Sequence, residues 1–144
     1  MRAMIMLAQR QADGGLVPAR EIAEEQQIPL RFLEQQLGTL HKAGLVESQR
    51  GAGGGCRLAK PADQITAAQV ADAIEGEQYP MSCLEPSDHS CLFDAHCGLQ
   101  GLWGDIQRAI RTVFEETSMA ELAVRQSAIM PRPLISMADL VRKA

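Results

Sequence analysis

The residues best suited to chemistry lie between Cys83 and Cys97, where three of the chain's four cysteines fall within fifteen residues. Histidines and carboxylates are interspersed among them, namely Glu85, Asp88, His89, Asp94 and His96. Lysine and arginine are absent from Pro61 to Gly101, so no cationic side chain nearby in sequence balances a group of thiolates. Because soft thiolates select zinc, copper(I) or iron–sulfur centres, this segment predicts a site for a metal ion or an iron–sulfur cluster.

The spacing of these cysteines differs from that of common zinc sites. Seven residues separate Cys83 from Cys91 and five separate Cys91 from Cys97, whereas zinc sites usually bring cysteines as pairs about two to four residues apart. A zinc or thiol-redox site in a structural or interaction protein with a helix-turn-helix is the alternative interpretation. No serine or cysteine elbow with a base placed for it is present, so the sequence predicts neither an enzyme nor a small-molecule substrate.

The length of 144 residues predicts one domain with an appendage. No apolar run approaches the ~20 residues that a membrane span needs, and the N-terminus lacks the pattern of a signal peptide. We therefore expect a cytoplasmic protein that does not enter a membrane. In that compartment clustered cysteines are more often metal ligands or redox groups than disulfides. Cys56, which lies far from the others, is predicted to be a small buried thiol.

Charge is distributed unevenly along the chain. Residues 1–60 carry eight lysines and arginines against six acidic residues, a net charge of +2. Residues 61–144 carry six basic and twelve acidic residues, a net charge of −6. The first part is therefore the half that could approach the phosphates of a nucleic acid.

The N-terminal half has the pattern of a helix-turn-helix. Apolar residues at a period near 3.6 predict a first helix from Met1 to Gln11, a second that begins at Pro18 and a third from Leu30 to Ala43. Gly44 is expected to end this third helix as a cap. Two short helices separated by a tight break are the arrangement of a helix-turn-helix, whose second helix reads DNA.

A β-hairpin is predicted immediately after the recognition helix. Residues 45–49 and 56–59 have the pattern of two strands, and the tip between them is rich in glycine. Glycines such as Gly53 and Gly54 let a backbone come very close to a neighbouring surface. A nucleotide-binding loop would instead follow a buried strand and open a helix. The hairpin is therefore a wing, and the predicted fold class is mainly α with a small β-hairpin wing.

Side chains suited to DNA contacts are found on the recognition helix and on the wing. Arg31 and Gln35 lie one turn apart on the exposed side of the helix, while Arg50 and Arg57 flank the tip. Arginine can bond guanine bidentately and glutamine can bond adenine, whereas wing arginines more often contact phosphates. The contacts with double-stranded DNA predicted from these patterns are Arg31, Gln35, Arg50, Gly53, Gly54 and Arg57.

The C-terminal half predicts a helix from Ala67 to Glu75 capped by Thr66, and then a longer helix over residues 98–116. A continuous apolar stripe follows one face of the long helix: Leu99, Leu102, Trp103, Ile106, Ile110, Val113 and Phe114. A domain this small has little to cover such a stripe, so we expect a homodimer. A Ser-Met-Ala-acid-Leu near-repeat at residues 118–122 and 136–140 predicts two further short helices.

Four stretches are distinctive in combination: Ile28-Pro-Leu-Arg-Phe-Leu-Glu-Gln-Gln-Leu, His41-Lys-Ala-Gly-Leu-Val, Arg50-Gly-Ala-Gly-Gly-Gly and the three-cysteine segment. Together they resemble the IscR/NsrR/RirA family of bacterial iron–sulfur transcription regulators. The resemblance is close over residues 1–116 and loose over the tail. It implies a winged helix-turn-helix DNA-binding domain over residues 1–75, a cluster-binding loop over 76–97, a dimerisation helix over 98–116 and short C-terminal helices over 117–144.

The resemblance also implies a function and a set of site residues. It implies that Cys83, Cys91 and Cys97 ligate a [2Fe-2S] or [4Fe-4S] cluster, and that Glu34 occupies the position that discriminates between operator sequences. We therefore expect a homodimeric repressor whose cluster state changes its affinity for a pseudo-palindromic DNA operator. The expected signals are iron status, cluster status, redox state or nitric oxide.

Two features depart from the family pattern. Family members usually begin earlier, with a short segment that supplies an acidic fourth ligand in some relatives. Other relatives use a histidine three residues after the last cysteine, and that position is Gln100 here. The candidates for the fourth ligand are therefore His89, His96, a carboxylate, or a residue of a segment before Met1. The seven-then-five cysteine spacing looks most similar to the iron-responsive RirA branch.

Overall fold

The computed structural model describes residues 1–51, 53–76, 79, 81–85, 91–93 and 96–129. The second copy of the near-repeat, at residues 136–140, lies outside this described part, as do Asp88, His89 and Asp94. Among the described residues, no helix is long and apolar enough to cross a lipid bilayer.

Six helices and one two-stranded antiparallel sheet make up the described part of the chain. In chain order they are α1 (Arg2–Gln9), α2 (Ala19–Gln26), α3 (Leu30–Lys42), β1 (Val46–Gln49), β2 (Gly55–Leu58), α4 (Ala67–Glu75), α5 (Gln100–Glu116) and α6 (Met119–Ile129). Short 3₁₀ turns occur at Gln11–Asp13, Ala62–Gln64 and Ser82–Leu84. The predicted winged helix-turn-helix is therefore confirmed, although α1 ends earlier and α5 begins later than the sequence pattern indicated.

Local signals in the sequence explain where several helices begin and end. Gln27 ends α2 in the left-handed conformation, with φ of 52°, and Pro29 occupies the N-cap of α3. The tight break of the helix-turn-helix therefore occupies only a few residues. At α4 the predicted cap is confirmed, because Thr66 and Gln69 form a reciprocal capping box.

The core is aliphatic and is closed by a residue from the tail. The fully buried side chains are Met4, Leu7, Ile22, Val46, Ile65, Val70 and Met119. Met119 opens α6, which packs along α1 and accepts a 2.9 Å hydrogen bond from Gln9 at Ser127. The first copy of the near-repeat therefore begins an eleven-residue helix that belongs to the winged-helix core, and is longer than the short helix predicted.

Strand β2 is hydrogen-bonded along both of its edges, on one side to the other wing strand and on the other side to the body. Strand β1 pairs with β2 in the register Val46↔Leu58 to Gln49↔Gly55. On its other side, β2 exchanges two 2.9 Å backbone hydrogen bonds between Cys56 and Val17. These bonds fix the hairpin relative to α2, which begins two residues after Val17.

Two glycines of the wing are required by the protein's own fold. A Cβ atom on Gly54 would lie 2.3 Å from the Gln49 carbonyl oxygen, and one on Gly55 would lie 2.6 Å from the Val17 carbonyl carbon and oxygen. The sequence interpretation attributed these glycines to close approach to a neighbouring surface. The structure shows that internal packing already explains Gly54 and Gly55.

We expect Gly55→Ala to destabilise the protein by about 1–3 kcal/mol, because its new methyl group collides with backbone that cannot move aside freely. The matched control is Gly38→Ala in the middle of α3, where no atom lies within 4 Å of the added Cβ. This control should instead stabilise the protein by about 0.5–1 kcal/mol through helix propensity. Urea unfolding of both variants measures the difference, and equal stabilities would contradict the packing described here.

Candidate nucleic-acid interface and cysteine segment

Helix α3 presents a polar face on the side opposite the three leucines that point into the core. Leu33, Leu37 and Leu40 are buried, and their spacing leaves Arg31, Glu34 and Gln35 exposed on the other side. The guanidinium of Arg31 forms no ion pair with any residue in the described part of the chain. This face therefore offers an uncompensated cation, a carboxylate and an amide together.

The two wing arginines have different surroundings. Arg57 donates to the Glu47 carboxylate from Nε at 2.9 Å and lies 2.8 Å from it through Nη2. Arg50 is exposed and has no acidic partner among the residues described. The Arg57–Glu47 pair follows from the strand register, which places the two residues opposite one another. The sequence analysis placed both arginines beside the tip as DNA-contact candidates and did not predict this pairing.

Two other arginines of the N-terminal half are neutralised locally. Arg10 lies 2.8 Å from both Glu21 and Glu25, and Arg20 lies 2.9 Å from Glu24. The net positive charge of the N-terminal half is therefore not spread evenly over the body. Arg31, Lys42 and Arg50 form no ion pair among the described residues and are left as cations on α3 and on the wing, which are the elements that a winged helix applies to DNA.

A histidine links these two elements and was not predicted to do so. The Nδ1 atom of His41, near the end of α3, lies 2.9 Å from the carbonyl oxygen of Val46, at the start of β1. The contact connects the recognition helix to the first wing strand across Gly44, whose φ of 70° turns the chain. His41 is otherwise exposed, and no pattern in the sequence indicates this contact.

The three clustered cysteines lie on either side of residues outside the described part. Cys83 belongs to the turn Ser82–Leu84, and Cys97 lies three residues before α5. All three thiols, including that of Cys91, are free and half-buried. Their donor chemistry fits a thiolate-bound iron–sulfur cluster or soft metal ion. Within the described residues, however, no three histidine, cysteine or acidic side chains are grouped so that they could hold a metal ion.

Cys56 is a different kind of thiol, as the sequence predicted. It is 2% exposed, and its Sγ lies 3.5 Å from the Val17 carbonyl oxygen. Burial raises the pKa of the Cys56 thiol to about 11 because the thiolate would lose its hydration. The native protein therefore binds this proton more tightly than the unfolded chain does. Its contribution to stability is complete below pH 9.0 and is lost as the pH rises towards 11.

We expect iodoacetamide at pH 8 to modify Cys83, Cys91 and Cys97 of the metal-free, reduced protein while Cys56 stays unmodified. Burial blocks access to Cys56, and its raised pKa lowers the thiolate fraction about a hundredfold. Mass spectrometry of tryptic peptides gives the extent of modification at each position. Modification of Cys56 at the same rate as the others would contradict its burial, and denatured protein serves as the positive control.

The fold, together with the exposed face of α3 and the wing, defines a winged helix-turn-helix DNA-binding protein. Within that class, the chain belongs to the Rrf2 family, which is described as iron-dependent transcriptional regulator and whose model matches residues 1–125. The resemblance noted in the sequence is thereby confirmed at the level of the family. The protein is accordingly a transcriptional regulator and not an enzyme.

Individual relatives agree with this assignment. A putative HTH-type transcriptional regulator of Haemophilus influenzae is 35% identical over 116 residues, which cover 81% of this chain and 76% of the relative. The regulator IscR of Aliivibrio salmonicida is 36% identical over 113 residues, covering 78% and 66% of the two chains. The structure of CymR, the global cysteine regulator of B. subtilis, is similar with a TM-score of 0.70 and 32% identity, covering 85% of this chain and 88% of CymR.

Proposed function

We propose that this protein is a homodimeric transcriptional regulator that holds one iron–sulfur cluster per subunit. The observation that carries the proposal is that three free, half-buried thiols, Cys83, Cys91 and Cys97, occur in one segment between a winged helix and a helix with an exposed apolar face. The proposed ligands are these three cysteines, and the cluster is of the [2Fe-2S] or [4Fe-4S] type. When bound, such a cluster supplies a centre that responds to oxidation, iron supply and nitric oxide.

The fourth ligand and the signal are part of the same proposal. His96 and Glu85 are described residues in the segment, and His89, Asp88 and Asp94 lie outside the described part. The cysteine spacing supports a RirA-like response to iron over the other branches. In the cell, the expected role is that of a repressor in iron homeostasis.

The proposed DNA partner is a double-stranded operator contacted by α3 and the wing. Arg31, Glu34 and Gln35 would face base edges in the major groove, while Arg50, Gly53, Gly54 and Arg57 would lie along the phosphates. The support for this assignment is the exposure of the α3 face and the unpaired state of Arg31 and Arg50 among the described residues. Because Glu47 already compensates Arg57, we assign Arg57 the weaker phosphate contact.

We expect Arg31→Ala and Arg50→Ala to weaken operator binding in different ways. Loss of a base contact at Arg31 should cost about 1–3 kcal/mol and relax the preference at one base pair. Loss of a phosphate contact at Arg50 should weaken binding to all sequences and reduce the salt slope by about one. Arg20→Ala is the control, because Arg20 is paired with Glu24 on α2. Fluorescence anisotropy at several salt concentrations measures these effects, and an unchanged slope in Arg50→Ala would refute its assignment.

The proposed homodimer is supported by α5, none of whose residues is buried within the subunit. Its apolar stripe includes Leu102, Ile110 and Val113, which are 53%, 46% and 61% exposed. Contiguous apolar surface of this kind is typical of a protein–protein interface. A second copy of the same helix is the simplest partner with a complementary apolar face.

The experiment that tests the proposed function compares operator binding by one anaerobic preparation before and after removal of its cluster. A visible chromophore with stoichiometric iron and sulfide, together with an affinity that changes on cluster removal, is the expected result. Colourless protein that contains zinc and shows no salt-dependent affinity for DNA would instead favour the alternative of a zinc or thiol-redox interaction protein. Exposure of the loaded protein to an iron chelator and to nitric oxide, separately, identifies the signal.

A further inference from the structure

An arginine on α5 is held by two acidic groups, one of which belongs to the winged helix. Nη1 of Arg111 lies 2.8 Å from both carboxylate oxygens of Asp72 on α4. Its Nε lies 2.6 Å from Glu115, one turn further along α5. The hydrogen bonds that Arg111 donates to Asp72, and then to Glu115, raise the pKa of its guanidinium above the ordinary value. Arg111 therefore stays charged at every pH at which the protein is folded.

A second attachment holds the C-terminal end of α5. The backbone N–H of Ala67 donates to the Thr117 carbonyl oxygen at 2.8 Å, and that of Met119 donates to the Ile65 carbonyl oxygen at 2.8 Å. These two bonds fasten the junction between α5 and α6 to the residues at the start of α4. An attachment at this end alone would fix the position of the end of α5 but would leave the helix free to rotate about that point.

The two attachments together determine the direction of the α5 axis relative to the winged helix. Arg111 lies six residues before Thr117, which is about 9 Å along a helix at about 1.5 Å per residue. Two contacts separated by this length define the angle between α5 and the winged helix. Arg111 lies beside the apolar stripe and not within it, since the stripe member next to it on the helix surface is Phe114, three residues further along. Its guanidinium is engaged with Asp72 on α4 and not with the face proposed for dimerisation.

We propose that the Arg111–Asp72 ion pair is a positioning link that sets the angle of α5 on the winged helix and thereby the half-site spacing that the dimer accepts. This inference rests on the proposed homodimeric operator binding. In a two-fold dimer joined through α5, the angle of that helix decides how far apart the two copies of α3 lie and how they are rotated. The link thus acts on specificity without touching DNA.

Because of the geometry of DNA, a change of one base pair between the half-sites is enough to test the rigidity of the link. One inserted base pair moves a half-site by about 3.4 Å and rotates it by about 34–36°, since a helical turn contains about 10–10.5 base pairs. If the angle of α5 is rigid, the DNA must deform to fit a wrong spacing, and that deformation reduces the affinity. If the angle is loose, the protein adapts and the affinity changes little. Discrimination between spacings therefore reports on the rigidity of the link.

The test uses the full-length protein and DNA duplexes that the wild type selects from a random library. Affinities are measured for the selected duplex and for versions with one base pair inserted or removed between the half-sites. The variants are Arg111→Ala, Asp72→Ala and the exchange Arg111→Asp with Asp72→Arg. Arg108→Ala is the matched control, because Arg108 pairs with Asp105 within α5 and forms no ion pair with α4 among the described residues. Sedimentation confirms the oligomeric state of each variant.

We expect the wild type and Arg108→Ala to prefer the selected spacing by about tenfold, equivalent to about 1.4 kcal/mol. Arg111→Ala and Asp72→Ala should lower this preference to about twofold while remaining dimeric, and the charge exchange should restore most of it. Undiminished preference in both single variants would overturn the positioning role, as would a failure of the exchange to restore it. A wild type that is monomeric or does not bind DNA would instead overturn the proposed function, and this inference with it.

Discussion

Replacement of Cys83, Cys91 or Cys97 by alanine is expected to abolish the visible absorbance of the anaerobically purified protein in each of the three variants. Loss of one thiolate leaves two, and two cysteines from one segment do not hold a cluster with comparable affinity. Cys56→Ala is the matched control and should keep the full chromophore. Its thiol is buried in the wing strand and hydrogen-bonded to Val17, so it cannot reach a site built by the other three.

The same series distinguishes a shared centre from separate thiols. Visible absorption, iron and acid-labile sulfide are quantified for every variant, and far-UV circular dichroism confirms that the helices remain. If the three loop variants lose the chromophore together, the three sulfurs serve one centre. If any of them keeps stoichiometric cluster, that cysteine is not a ligand and the proposed ligand set is wrong. Loss of the chromophore in Cys56→Ala with an intact fold would equally contradict the proposal.

Val113→Glu is expected to convert the protein from dimer to monomer and to reduce its affinity for a pseudo-palindromic operator by about a hundredfold or more. Val113 lies in the apolar stripe of α5 and is 61% exposed in the subunit, so glutamate is well hydrated in the monomer. In a dimer the charge would be buried against apolar side chains without a partner, which is strongly unfavourable. Separated subunits also lose the roughly 10²–10⁴-fold higher affinity that a dimer gains by binding two half-sites at once.

Val124→Glu provides the matched control for this prediction. Val124 lies on α6, is 70% exposed and does not belong to the α5 stripe. The same chemical change there should leave the oligomeric state and the operator affinity unaltered. Analytical ultracentrifugation and electrophoretic mobility shifts with whole and half operators give both quantities. A dimeric Val113→Glu protein would show that the interface lies elsewhere.

Patterns local in sequence predicted most of the fold correctly. The spacing of Leu33, Leu37 and Leu40 identifies the buried side of α3, and it thereby identifies the exposed positions that face away from the core. The capping box of Thr66 and Gln69 could be predicted because its hydrogen bonds join residues three positions apart. Such features depend on helix geometry alone, so they can be predicted before any tertiary contact is known.

Other features depend on contacts between residues distant in sequence. The place of Met119 in the core requires α6 to pack along α1, and the pairing of Arg57 with Glu47 requires the register of the wing. The steric demand at Gly55 comes from Val17, which belongs to another part of the chain. Periodicity and composition carry no information on which distant residues meet, so these contacts were not predicted.

The sequence by itself determined two features. One is a set of three cysteine thiols, which could ligate a metal centre, in a segment free of cationic residues. The other is the basic N-terminal half that contains a helix-turn-helix with its wing, and the two together define the family pattern. Only the tertiary structure decided which charges stay uncompensated, since Arg31 and Arg50 have no acidic partner among the described residues whereas Arg57 and Arg111 do. It also decided how α5 is joined to the winged helix, through Asp72 and the backbone around Thr117. The physical reason is that residue types and spacing fix local geometry and chemistry, while the pairing of charges depends on distances that arise only when helices and strands pack.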